Sequence, residues 1–302
     1  MWVVGIDEAG YGPNLGPLAQ AAVAVPLPDD DPAGWKALKK RVRRCRHKDD
    51  SRLLIDDSKK VYAKGGFAAL ERGAACGLNL THSRFADLIA SHVLPALHGD
   101  LHGEHWFQAE HPLPCEAWDR DASPFDTAAA TVNLMPTARF NRICDQCGSK
   151  GAVLAWGVIE LIPATLAKLP DDGQPVAIHC DKQGGRNFYS AMLQQAFPDG
   201  WVVAECESAD ESRYQIDFLP RSVTVTFRPR ADGDSIAVAL ASMLCKWLRE
   251  VCMRQFNGFW MKHVPGIEPT AGYPGDARRF YDLIRPVMDK LGLNEEHVWR
   301  KR

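Results

Sequence analysis

The chain of 302 residues is 46% hydrophobic and 25% charged, enough apolar side chain for one large core, or for a core with a smaller appendage, and unlike a disordered or fibrous sequence. Its formal net charge of −2 excludes a uniformly basic DNA-coating protein, so any contact with nucleic acid has to come from local patches. Nine cysteines, an odd number scattered along the sequence, suit buried thiols of a reducing compartment better than a disulfide framework, and the cytoplasm is the expected location.

Met1–Ile6 reads as a short apolar strand that runs directly into two carboxylates, Asp7 and Glu8. It has neither a basic leader nor a small-residue cleavage site, so a secretory signal is not expected. Gly10, Gly12 and Gly16 mark a turn, after which Leu18–Val25 reads as a second strand, giving a hairpin at the core of a mixed sheet. Pro26–Pro32 breaks the pattern. Lys36, Lys39, Lys40, Arg41, Arg43, Arg44, Arg46 and Lys48 then form a basic run, either a solvated helix face or a phosphate-binding edge. In the second case binding would weaken steeply with salt. Asp56-Asp57-Ser58-Lys59-Lys60 precedes helical periodicity through about Gly73, and the stretch from His98 to Pro124, rich in His, Pro and Trp, has no clear period and reads as a long loop.

Asn141 to roughly Lys168 has helical character. Its apolar stretch from Gly151 to Ala167 is interrupted by Glu160 and Pro163 and is too short for a membrane span. Cys144 and Cys147 form the only CxxC pair; a zinc site would need two more ligands, for which Cys115, His111 and Cys180 are merely available, and core cysteines are the expectation instead. Gln174–His179 reads as a buried strand that delivers Cys180 and Asp181 at its end, and Val202–Glu207 and Val223–Arg228 are further strands. Asp232-Gly233-Asp234-Ser235 introduces the clearest helix. Ile236, Leu240, Met243, Leu244, Trp247, Leu248 and Val251 form its apolar face, with Ser242, Lys246, Arg249 and Glu250 on the other, a side open to substrate or solvent. After Gly272-Tyr273-Pro274 comes a helix expected to be capped by Asp276, with Phe280, Leu283, Ile284 and Val287 inward and Pro286 kinking or ending it.

Acids recur where strands stop or a helix begins: Asp7 and Glu8, Asp181, and Asp232 or Asp234. Carboxylates abutting core strands call for a compensating cation or donors. Four of them around two divalent ions would suit phosphodiester hydrolysis, and an oxygen-only donor set favours Mg2+ or Mn2+ over zinc. Neighbouring residues of a regular strand point to opposite faces, so Asp7 and Glu8 can share a site only if the chain twists at Glu8. The plainer alternatives are a polar turn for Asp7-Glu8 and helix capping for Asp232 and Asp234.

Four segments in order, Asp7-Glu8-Ala9-Gly10-Tyr11-Gly12-Pro13, Asp57-Ser58-Lys59-Lys60, Ala241-Ser242-Met243-Leu244-Cys245-Lys246 and Gly272-Tyr273-Pro274, resemble the signature segments of type 2 ribonuclease H, ribonuclease HII. The motifs cover about a tenth of the chain. The resemblance implies an α/β ribonuclease H-like fold, a central mixed β-sheet flanked by helices, with a small helical C-terminal extension. The catalytic domain would span 1–250, with extra sequence near 26–50, 98–140 and 183–225, and the extension 251–302. It implies a metal-dependent endonuclease that hydrolyses the RNA strand of RNA–DNA hybrids or cuts 5′ of ribonucleotides embedded in duplex DNA, leaving 3′-hydroxyl and 5′-phosphate ends. The metal-binding carboxylates of the family fall on Asp7, Glu8, Asp181 and Asp232, with Asp234 in reserve, and the stacking tyrosine falls on Tyr273.

Substrate contacts are expected from Gly10, Tyr11 and Gly12, from Ser58, Lys59 and Lys60 on phosphates, and from Lys246, which could equally pair with Glu250 one turn on. A monomer is implied, with no membrane association. Two departures stand out. The turn reads Gly10-Tyr11-Gly12 where the family has Gly-Arg-Gly, and Asp181 is followed by Lys182-Gln183-Gly184-Gly185-Arg186 instead of Gly-Asn. The first bears on recognition of the RNA–DNA junction. The rival readings are the same metal centre redirected to another structured nucleic acid, and a non-catalytic nucleic-acid-binding module.

Overall fold

The computed structural model describes residues 1–301. In chain order the strands are β1 (Trp2–Ala9), β2 (Leu18–Pro26), β3 (Val42–Arg43), β4 (Leu53–Leu54), β5 (Ala129–Met135), β6 (Val176–Asp181), β7 (Trp201–Glu207), β8 (Ser212–Asp217) and β9 (Val223–Arg228). The helices are α1 (Ser58–Gly77), α2 (Phe85–His92), α3 (His98–His102), α4 (Thr137–Cys147), α5 (Lys150–Leu166), α6 (Ser190–Ala196), α7 (Ala231–Asp234), α8 (Ile236–His263), α9 (Pro274–Met288) and α10 (Glu295–Val298). Seven strands form one mixed sheet in the order β5-β2-β1-β6-β9-β8-β7. β1 pairs antiparallel with β2 but parallel with β6, and β6 pairs parallel with β9. Here is the mixed sheet with flanking helices that the sequence leads one to expect.

The apolar runs of β1 and β2 are continuous rather than alternating because both faces of the sheet are covered: Val3, Val4 and Ile6, and Leu18 through Val25, are all buried. α8 lies across β1 and β2 with α1 packed beside it, and α5 lies against β2 and β5. The C-terminal helices enclose a second apolar cluster, in which Phe256 and Trp260 of α8 meet Phe280, Ile284 and Val298. α8 runs unbroken through residue 250, so the C-terminal segment grows directly out of the helix that backs the sheet.

Several local expectations are revised. The stretch 141–168 is two helices, not one: α4 and α5 meet at a bend of 106°, where Ser149 Oγ accepts from the Ala152 N–H at 3.2 Å and starts the new helix. Among the described residues no single helix is long and apolar enough to cross a membrane. The basic run forms no helix; it is a series of turns around β3. α9 begins at Pro274, with Tyr273 at its N-cap, and Asp276 lies inside the first turn, tied to Arg279 at 2.6 Å. Leu283 is 46% exposed, and Pro286 neither kinks α9 sharply enough to divide it nor ends it, the helix continuing to Met288.

The region from His98 to Pro124 contains α3 and is otherwise irregular, but it is firmly held. Glu71 of α1 is fully buried and accepts from the Cys115 and Glu116 N–H groups (2.8 and 3.1 Å) and from the indoles of Trp118 and Trp247 (3.1 Å each). Charge-assisted bonds of this kind in a low-dielectric interior fix a loop that has no regular structure of its own.

Candidate active site

The parallel pairing of β1 with β6 stops at Ile6 and Cys180, which leaves Asp7, Glu8 and Asp181 just beyond the last shared rung. The expected departure of the chain at Glu8 does not occur on the other side of β1, where pairing with β2 stays regular through Ala9. Instead, the cleft opens at the end of the sheet, where both side chains can reach it. A cleft of about 410 Å³ is lined there by Asp7, Glu8, Asp181 and Asp232 together. The short helix α7 carries Asp232 into it, whereas Asp234 is exposed and lies outside it. Ser235, not an aspartate, is the N-cap residue of α8, and no side chain caps that helix, so the capping alternative for Asp232 is not realised.

Electrostatics set these acids apart. Burial, reinforced by the charges of Glu8 and Asp181, holds the Asp7 carboxyl well above the ordinary carboxylate range, against hydrogen bonds from Ser242 and the Glu8 N–H. Burial and Asp181 push Glu8 up to about 7, with Lys59 opposing. Asp181 is raised by burial although the Ala231 N–H donates to it at 3.1 Å, and Asp232 by burial and by the charges of Asp57 and Asp181. Carboxylates arranged to repel one another in a half-buried site mark a place where positive charge is wanted.

The glycine turn forms one wall. Gly10 adopts φ +90°, a conformation that favours glycine, and a Cβ there would lie 2.8 Å from Arg249 Cδ. Arg249, buried on α8, donates to the carbonyls of Pro17 (2.5 Å), Leu15 (3.1 Å) and Ala271 (3.0 Å), so one guanidinium ties the turn to the loop that presents Tyr273. The Asn14 and Leu15 N–H groups close the same junction by donating to the Gly272 carbonyl. Tyr273 is 53% exposed, with its ring 3.7 Å from the Cβ position of Gly12. The Tyr11 ring has Lys150 Nζ 4.7 Å from its centroid. Arg249→Met is expected to lower stability by about 3 kcal/mol, since it strands three carbonyls. Arg249→Lys should recover little of this, because one ammonium cannot span them; urea unfolding of both variants checks it.

All the residues nominated from the sequence except Lys60 and the reserve acid Asp234 line this cleft. Lys60 is exposed, 3.6 Å from Asp57. Lys246 makes the ordinary helical pair with Glu250 (2.9 Å) and also stacks on Tyr62. Ser58, at the start of α1, is hydrogen-bonded hydroxyl to hydroxyl with Ser242 of α8 at 3.0 Å, which joins the two helices at the cleft floor. Asp57, Arg249, Met253, Arg254, Asn257 and Thr270 line it too and were not singled out as site residues. The signal for Arg249 was in its spacing, seven residues after Ser242 and three after Lys246, a polar stripe on an otherwise apolar helix.

The donor set suits a hard divalent cation: oxygen only, half-buried, mutually repelling, with Lys59 the opposing charge on Glu8 and Asp181. Among the described residues no three His, Cys, Asp or Glu side chains are grouped so as to hold a metal ion as they stand. Cys144 is buried in an apolar cluster and Cys147 is exposed, which leaves the CxxC pair without further ligands.

No protein-family model matches the sequence, and no curated protein matches it. At the level of fold the chain is similar to a chain in the structure of the PCNA:RNase HII complex from Archaeoglobus fulgidus, with a TM-score of 0.50 and 16% identity over 100% of this chain and 95% of that one. Ribonuclease H2 from Pyrococcus horikoshii OT3 gives 0.47 and 16% over 99% and 92%, and Bst-RNase HIII in complex with Mn2+ gives 0.46 and 15% over 99% and 66%. On the first of these similarities the fold is ribonuclease H-like.

Proposed function

We propose that this protein is a divalent-metal-dependent endoribonuclease that cuts the RNA strand of RNA–DNA hybrids, or 5′ of ribonucleotides embedded in duplex DNA. The observation that carries the reading is the meeting of Asp7, Glu8, Asp181 and Asp232, from three separate parts of the chain, in one cleft that also receives Ser58, Lys59, Lys246 and Tyr273. Asp7 and Asp181 would hold Mg2+ or Mn2+, with Glu8 and Asp232 completing the donor set. The bound ions would supply the charge that acidifies an attacking water and stabilises the leaving 3′ oxygen. Ser58 and Lys59 grip a phosphate by hydroxyl and ammonium contacts. The exposed backbone at Gly12, on the turn that Gly10 shapes, admits a ribose to close range, where its 2′-hydroxyl can be read, and the exposed face of Tyr273 stacks on the sugar or base beside the cut.

End-labelled duplexes carrying no ribonucleotide, one, several or a complete RNA strand test this with Mg2+ or Mn2+, for wild type and Asp181→Ala. Cutting 5′ of the single ribonucleotide, abolished in Asp181→Ala, is the expected result. Cutting of long hybrids alone would mean that the chemistry persists while Tyr11, with Lys150 at its ring, has altered junction recognition. A wild type that cuts no duplex would turn the reading toward a redirected nuclease or a binding module.

A further inference from the structure

The basic run divides into cations that are used inside the protein and cations that are not. Arg41 donates to the Pro124 and Ser123 carbonyls, Arg43 pairs with Asp49 at 2.8 Å, and Arg44 pairs with Asp56 at 3.1 Å and stacks on Trp35. Arg46 and Lys48 are exposed, and among the described residues neither has an ion pair or hydrogen bond through its side chain. They sit on a turn that is built rather than loose. His47 N–H donates to the Arg44 carbonyl and His47 Nδ1 accepts from the Arg44 N–H, both at 3.0 Å, while Lys64 Nζ donates to the Cys45 carbonyl at 3.1 Å.

The turn is also anchored to the cleft. Asp56, 2% exposed, accepts from Arg44 and from the Cys45 N–H on one side and from the Asp57 N–H on the other. Asp57, Ser58 and Lys59 line the cleft directly. One buried carboxylate therefore fixes the turn against the residues that would hold the phosphate nearest the cut. Lys60 and Lys64, one turn apart on α1, bring their charge to the same place, and both act on Cys45. Asp49, which follows Lys48 in the chain, is taken up by Arg43 and Lys64. The other exposed lysines of the run lie elsewhere. The Lys39 carbonyl accepts from Arg52, and neighbouring Arg41 reaches the 123–124 segment, which Ser123 ties to Gly77 at the far end of α1, beyond the kink at Gly66.

We infer that Arg46 and Lys48 form an outlying phosphate-contact site that extends the nucleic-acid track from the Ser58–Lys59 rim of the cleft onto the backbone of the same duplex. The inference rests on the proposed function above. It is tested by anisotropy of a labelled RNA–DNA hybrid in EDTA, titrated from about 50 to about 200 mM salt, for wild type, R46Q/K48Q and the charge-matched K39Q/K40Q. Each phosphate contact contributes about 0.9 to the salt slope, so R46Q/K48Q is expected to flatten it by about 1.8 and to weaken binding about tenfold at low salt. K39Q/K40Q should leave the slope at the wild-type value, and unchanged melting temperatures would show both variants folded. An unaltered slope in R46Q/K48Q, or an equal change in K39Q/K40Q, overturns the inference while leaving cleavage by the wild type, and with it the proposed function, intact. A wild type that neither binds nor cuts any duplex overturns both.

Discussion

Asp7→Asn is expected to abolish metal-dependent cleavage of hybrids and, at neutral pH without metal, to raise the melting temperature. The two effects share one cause. Asp7 is buried beside Glu8 and Asp181, and its ionised form is disfavoured by all three circumstances; an amide of the same shape keeps the volume but removes the repulsion. A carboxyl whose folded pKa is raised contributes its stability in full below the unfolded value, and that contribution is lost as pH rises through the folded value. For Glu8 the window runs from about 4.5 to about 7. The metal-free wild type should therefore lose stability across this range as pH rises, and Asp7→Asn should lose less, the difference at neutral pH amounting to about 1–3 kcal/mol. Adding Mg2+ should stabilise the wild type by mass action and the variant much less. Thermal melts across pH, with and without Mg2+, read all three effects. Cleavage at the wild-type rate by Asp7→Asn would remove Asp7 from the donor set. A lower metal-free melting temperature would mean that the carboxylate's charge-assisted hydrogen bonds with Ser242 and the Glu8 N–H, which a neutral amide makes more weakly, outweigh the repulsion.

What could be read from the sequence were features carried by consecutive residues. The hairpin of β1 and β2, the strand ending at Asp181 and the long helix α8 announce themselves by apolar run or period, and the acids are visible because they interrupt such runs. What was hidden depends on contacts between distant segments. β5 and β8 carry no turn signature strong enough to separate them from their surroundings, yet β5 closes one side of the sheet and β8 joins β9 to β7. Glu71 reads as one more charge on a helix; only the fold shows that it binds Cys115, Glu116, Trp118 and Trp247 at once. The choice between Asp232 and Asp234 is likewise tertiary, since α7 turns the first toward the cleft and leaves the second exposed with its carbonyl accepting from Trp35 at 3.1 Å. Gly5 is the clearest case. In a strand it looks like a weak residue among valines, and its purpose appears only when α8 is laid across it.

Gly5→Ala is expected to be the most damaging single-methyl change in the chain. A Cβ at this position would stand 2.1 Å from the Ala237 carbonyl carbon and the Val238 nitrogen, and 2.5 Å from the Ala237 oxygen. These are backbone atoms of the first turn of α8, which no rotamer change can move aside. The helix would have to lift from the sheet at the point where β1 heads for Asp7, and core packing at native density has no slack to absorb that. A loss of about 3 kcal/mol or more follows from overpacking against backbone, a fall of roughly 5 °C or more in melting temperature for a chain of this size. Activity should fall further than stability alone would require. α8 carries Ser242, Lys246 and Arg249, its Cys245 thiol donates to the Asp7 carbonyl at 3.3 Å, and α7 with Asp232 immediately precedes it, so lifting the helix separates the acids of the strands from Asp232. Gly151→Ala is the matched control: nothing stands within 4 Å of its Cβ position, and alanine in the first turn of α5 should be neutral or stabilising by up to about 1 kcal/mol. Melting curves and cleavage rates for the pair decide the point. If Gly5→Ala melted and cut like wild type, the close seat of α8 on β1 could not be what holds the cleft together.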